Sequence, residues 1–215
     1  MGPQWAQGKS PVPCTLPVIF AGTRNADIFV GTAQSDQFFI NNVGDVITGG
    51  NSQDQVSSSL SDYTLAAGLG SLVLRSGAIN GTGNALTNNI EGNVGDNILD
   101  GGAGNDLILG GAGRDTFLFS HAGQSHADSL QDFQAGVDRI AVRGSAFGLL
   151  PGQAFSYVEG SRATTALPTF LRQGTAGSAQ SIFFDRDGTG PAKAQLLCSF
   201  SPFAGKTSAA DFAIL

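Results

Sequence analysis

The chain is predicted to be all-β, with a coil of short parallel strands repeating every 18 residues and an antiparallel β region after it. Three observations carry this reading. Aspartates recur nine residues apart at Asp27, Asp36, Asp45 and Asp54. A large apolar residue follows each of them two places later, at Phe29, Phe38, Ile47 and Val56. The same beat returns at Asn97, Asp106 and Asp115, with Leu99, Ile108 and Phe117 in the apolar phase. A nine-residue period is too short for helical-pair repeats and fits no heptad pattern.

The clearest copies show what each position must do. Gly101-Gly102-Ala103-Gly104-Asn105-Asp106-Leu107-Ile108-Leu109 runs straight into Gly110-Gly111-Ala112-Gly113-Arg114-Asp115-Thr116-Phe117-Leu118. Glycines suit a tight turn that needs positive φ and exposed carbonyls. The residues after each Asp form a short strand whose middle side chain points opposite to its neighbours. Two such half-turns make one coil, and coils stack about 4.8 Å apart, the inter-strand spacing. Turns on one edge are then 18 residues apart, which pairs Asp27 with Asp45, Asp36 with Asp54 and Asn97 with Asp115. Each pair, with its loop carbonyls, offers an all-oxygen cage of the kind a hard divalent cation prefers.

In chain order, residues 1–20 hold Pro3, Pro11, Pro13 and Pro17 and read as an irregular lead-in; prolines interrupt every apolar run, so no secretory leader is expected. Residues 21–120 read as the coil. Its first repeat block is 22–57 and its second is 92–118. Between them, 58–91 loses the aspartate beat but keeps Leu60, Leu65, Leu69, Leu72, Leu74, Ile79, Leu86 and Ile90, and is read as coils without metal. After residue 120 the beat stops. Ser181–Gly190 followed by Ala192–Phe200 reads as a hairpin with a Gly-rich turn.

The copies at 101–118 resemble the nonapeptide of RTX calcium-binding proteins. The looser units depart from it: in the first block Ile40 stands where glycine is usual and Asn25, Gln34 and Ser52 replace the fourth-position glycine, and in the second Asn97 replaces an aspartate. Asn still offers a carbonyl oxygen, so its site is weakened rather than abolished. The resemblance implies a right-handed parallel β-roll with calcium between turns along both edges. The ligands it implies are the carboxylates or amides of Asp27, Asp36, Asp45, Asp54, Asn97, Asp106 and Asp115. Backbone carbonyls of Gly92, Gly101, Gly102, Gly104, Gly110, Gly111 and Gly113 would complete them, with Asp128 and Asp132 as further candidates and Asp138 beside them.

Residues 121–215 resemble the C-terminal region of secreted RTX proteins, including serralysin-type peptidases. Asp128–Ile140 looks like that family's strand-turn-strand leaving the roll. Asp211-Phe212-Ala213-Ile214-Leu215 resembles the C-terminal signal of type I secretion substrates. The resemblance thus implies capping and export for 121–215, with the type I secretion machinery as a partner.

Composition agrees. Fifteen of the 17 acidic residues are Asp, and glycine fills 31 of 215 positions, well above the usual share of about 7%. A net charge of −6 without a basic patch argues against nucleic acid. No stretch approaches the roughly 18 apolar residues of a membrane span.

No catalytic motif is found. His121 and His126 lie five apart without HExxH and read as structural or surface residues. Gly8-Lys9-Ser10 lacks the first glycine and preceding strand of a P-loop. Asp185-Arg186-Asp187-Gly188 opens like an EF-hand loop, but Leu196 stands where its bidentate Glu belongs, so a hairpin turn is expected. Cys14 and Cys198 read as two separate thiols.

The expectation is a secreted, extracellular calcium-binding module that is not itself an enzyme. Without metal, like charges about 5 Å apart repel by about 1 kcal/mol in water and by several at an effective dielectric near 20. Glycine turns add an ordering cost, so folding is expected to wait for calcium. Two other readings stand beside it: the terminal module of a larger secreted hydrolase, a serralysin-like peptidase or a lipase, and a module that binds a polysaccharide or a cell surface.

Overall fold

Strand length follows from the repeat, since the turns leave only three or four residues to extend. The computed structural model describes residues 16–122, 127–174, 179–200 and 206–215. Its first fourteen strands are β1 (Ile19–Ala21), β2 (Ile28–Val30), β3 (Gln37–Ile40), β4 (Val46–Thr48), β5 (Gln55–Ser58), β6 (Asp62–Thr64), β7 (Ser71–Leu74), β8 (Asn80–Thr82), β9 (Asn89–Glu91), β10 (Ile98–Asp100), β11 (Leu107–Leu109), β12 (Thr116–Phe119), β13 (Asp128–Leu130) and β14 (Arg139–Val142). Odd strands from β1 to β13 pair in sequence order within one sheet. Even strands from β6 to β14 form a second sheet, while β2 and β4 pair apart from it. All of these pairings are parallel.

Alternation along such short strands sends one central side chain inward per half-turn. Phe38, Val56, Leu72, Ile90, Leu99, Phe117 and Ile140 are fully buried in this way, and Ile108 and Leu130 nearly so. Gly81 is the exception in the column, because a Cβ there would lie 3.3 Å from the side chains of Leu72 and Leu74, which fill its space. Phe20 stacks on Phe38 at 4.9 Å and, with Phe29, covers the first coil. Of the apolar residues between the two blocks, Ile79 and Leu86 are exposed, since they fall in turns rather than on the inward position.

Parallel pairing continues past residue 120. The chain between stacked turns lengthens from 18 residues to 22 before β13 and 23 before β14, while the strands keep three and four residues. The expectation that 128–140 leaves the roll is therefore corrected: both of its strands are further rungs. Next come helix α1 (Gly144–Phe147) and strands β15 (Ser156–Glu159), β16 (Thr169–Gln173), β17 (Gln180–Asp185), β18 (Gln195–Phe200) and β19 (Phe212–Ile214). β17 and β18 form the expected antiparallel hairpin, and β16 pairs antiparallel to β17. β18 joins β13 and β19 joins β14, both in parallel, so the C-terminal strands extend the sheets of the roll. Phe212 is stacked on Tyr157 at 5.1 Å and lies 4.8 Å from Phe170, which closes the last coil with aromatic surface. Among the described residues no helix is long and apolar enough to cross a membrane.

Candidate metal centre

Stacking puts the last residue of each turn beside its counterpart one coil later. The contact between them runs from backbone to carboxylate, and at Asp106 and Asp128 the two carboxyl groups also meet. The backbone N–H of the earlier residue donates to Oδ1 of the later one. On one edge Asp36 donates to Asp54 at 2.8 Å, Asn88 to Asp106 at 2.8 Å and Asp106 to Asp128 at 2.9 Å. On the other edge Asp27 donates to Asp45 at 3.0 Å, Asn97 to Asp115 at 2.8 Å and Asp115 to Asp138 at 3.0 Å. A buried N–H requires an acceptor, so each carboxylate also holds the register of the coil below it.

The two strict glycine units have their own turn shape. Gly102, Gly104, Gly111 and Gly113 have φ of 85°, 126°, 96° and 119°, a region other residues rarely enter. Gly101 and Gly110 are needed for a different reason. A Cβ on Gly101 would lie 2.3 Å from Asp106 Oδ2, and one on Gly110 would lie 2.4 Å from Asp115 Oδ2. Each carboxylate thus folds back over the first glycine of its own turn. Gly92 makes room for the carbonyl of Gly110, which a Cβ would meet at 2.1 Å.

Negative charge collects here, and one of its buried carboxylate oxygens has no donor. Asp106 is 1% exposed, and its Oδ2 has no hydrogen-bond partner among the described residues. Burial, reinforced by Asp100, pushes its carboxyl up to about 6 despite the N–H of Asn88. Burial and the charges of Asp138, Asp132 and Asp96 likewise raise Asp115 to about 6. Asp128 rises to about 7 through burial and the charges of Asp106 and Asp100. Asp138 is also raised, by burial first and then by Asp132. In the first block the balance reverses at Asp36: burial works upward, but hydrogen bonds from the Thr32 and Val18 N–H groups and the Thr32 hydroxyl bring it below its ordinary value.

The donor set suits a hard cation. It consists of carboxylate and carbonyl oxygens, one carboxylate oxygen being buried without a donor. Among the described residues no three His, Cys, Asp or Glu side chains cluster closely enough to hold a metal, so backbone carbonyls would have to supply most ligands.

The expected pairs 27/45, 36/54 and 97/115 are each brought together. Asp132 accepts from Gly110 and Gly111 N–H at 2.8 and 2.7 Å, and Asp128 sits one coil above Asp106. Asn88 is a site-edge residue missing from the expected set, although it lies on the beat nine residues before Asn97. Asp96 and Asp100 are off the beat, and no spacing rule would have found them. Asp185 ends β17, and Arg186-Asp187-Gly188 opens the turn of the hairpin, with Gly188 at φ 63°. His121 is exposed and lies 3.1 Å from the Ser120 hydroxyl, while Cys198 is buried and forms no disulfide among the described residues. Cys14, His126 and Gly8-Lys9-Ser10 lie outside the described residues.

Comparison with known families agrees with this geometry. Residues 82–117 match the RTX calcium-binding nonapeptide repeat, in four copies. The chain therefore carries RTX calcium-binding repeats, and the match covers Asn88, Asn97, Asp106 and Asp115. A search of curated proteins returns no match.

Proposed function

We propose that this chain is a secreted module that folds when it meets extracellular calcium and is exported by a type I system through its C-terminal segment. The observation that carries the calcium part is the buried Oδ2 of Asp106, left without a donor inside a matched repeat. Asp106, Asp115, Asp128 and Asp132, with carbonyls of the 101–104 and 110–113 turns, are the residues that would hold the ion. Bound calcium would supply the positive charge that these carboxylates lack.

Linkage turns that charge balance into a folding switch. A ligand that binds only the folded state adds RT ln(1 + [L]/Kd) to stability, about 2.7 kcal/mol at a hundredfold excess over Kd. Extracellular calcium modules bind at roughly 10⁻⁴–10⁻³ M, above cytosolic calcium. The chain would then stay open during export and close outside.

The C-terminal segment supports the same order of events. Phe212 and Ile214 are 4% and 3% exposed within β19, and Asp211 accepts the Gly136 N–H at 2.7 Å. An export signal built from these residues is legible only before the roll closes. The module acts as a folding unit rather than a catalyst. Small-angle scattering of the full chain tests this. An expanded chain in chelator that contracts on adding calcium is expected, and equal compactness in both conditions would overturn the reading.

A further inference from the structure

We propose that the first repeat block and the asparagine-bearing turns after it hold no calcium, because side-chain amides occupy the place a cation would take. The inference rests on the calcium reading above and restricts it to the strict glycine units and the turns beyond them.

The argument starts from the turn carbonyls, whose lone pairs must be met by a cation or by a donor. An asparagine amide brings two N–H donors. In the first block, Asn41 and Asn42 reach down one coil to the carbonyls of Gly22 and Arg24, at 2.9 and 2.8 Å. Asn51 does the same to Thr32 and Gln34, at 3.3 and 2.9 Å. The pattern repeats in the middle of the roll. Asn84 donates to Ala66 and Leu69, both at 2.8 Å, and Asn88 to Leu69 at 3.1 Å. Asn93 donates to Arg75 and Ala78, at 3.0 and 2.8 Å, and Asn97 to Ala78 and Ile79, both at 3.2 Å.

Two carboxylates of the first block, those of Asp45 and Asp54, are engaged by donors on both oxygens as well. Asp45 takes the Asp27 N–H on Oδ1 and the Asn41 and Asn42 N–H groups on Oδ2. Asp54 takes the Asp36 N–H and the Asn51 amide on Oδ1 and the Asn51 N–H on Oδ2. A cation here would have to displace bonds on both the carbonyls and the carboxylates.

The strict units differ at one decisive position. Gly102 and Gly111 stand where Asn84 and Asn93 stand one coil earlier, so no side chain is there to reach down. At Asp106, moreover, the carboxylate keeps a buried oxygen without a donor. The fit to a cation is therefore confined to the turns that begin at Gly101.

The test counts calcium ions bound per full-length chain by equilibrium dialysis. Asp54→Asn is expected to bind as many ions as wild type, and Asp106→Asn at least one fewer. Loss of an ion in a folded Asp54→Asn would overturn the inference. A second variant guards against misfolding: Asn93→Gly with Asn97→Asp removes both amides and rebuilds a strict unit, and is expected to bind one ion more. An unchanged count would also overturn the inference. A wild-type chain that binds no calcium would remove the calcium reading and this inference together, whereas ion loss in Asp54→Asn removes only the inference.

Discussion

The carboxylate of Asp128 accepts the backbone N–H of Asp106 at 2.9 Å across 22 residues, repeating a contact made elsewhere across 18. The lengthened loop hides this rung from the nine-residue beat but does not remove it. Asp128→Ala leaves the buried Asp106 N–H without its acceptor, a loss of about 1–3 kcal/mol. Urea unfolding in saturating calcium is expected to show that loss, and calcium binding is expected to weaken in the same variant.

Protons and calcium are predicted to substitute for each other. Asp106 and Asp115 are raised to about 6 and Asp128 to about 7, above their ordinary 3.8. A folded state that holds protons more tightly than the unfolded chain is favoured at low pH, and this contribution fades as pH rises through 6 and 7. In chelator, sheet content is therefore expected to rise as pH falls from 8 towards 5. Calcium affinity is expected to fall over the same range, as protons compete for the carboxylates. Circular dichroism and dialysis across pH check the two halves.

Two glycines with similar backbone angles separate strain from crowding. Gly111 has φ 96° and a Cβ there would lie 2.2 Å from the Asn93 carbonyl, whereas Gly136 has φ 82° and open space around it. Gly136→Ala is expected to cost about 1 kcal/mol for the backbone angle alone. Gly111→Ala should cost more, because a backbone oxygen has to move. Paired thermal melts in calcium give the comparison.

The tail is predicted to serve both folding and export. Phe212→Ala removes a buried ring that touches Tyr157 and Phe170, and a loss of about 3–5 kcal/mol is expected. Export by a type I system is expected to fail once the chain has been folded in calcium, which a secretion assay with a prefolded fusion would read directly.

The beat made the strands legible because an acidic turn end and an apolar residue two places later answer two separate physical demands, register and core. Phe38, Leu99 and Phe117 are fully buried on that phase. The rungs at Asp128 and Asp138 were hidden because the chain before them lengthens while their strands do not. Asparagine was harder to read. At Asn97 it suggests a weakened oxygen ligand, yet in the fold its Nδ2 donates to the Ala78 and Ile79 carbonyls. Which end of an amide faces the neighbouring coil depends on that coil's carbonyls, and spacing along one chain does not encode it.

The most direct test of the central claim is a calcium titration of chelator-stripped protein at neutral pH, followed by far-ultraviolet circular dichroism. A cooperative gain of sheet between about 0.1 and 1 mM calcium, weakened or lost in Asp106→Asn, is the predicted result. Full sheet content in chelator, unchanged by calcium, would contradict the account.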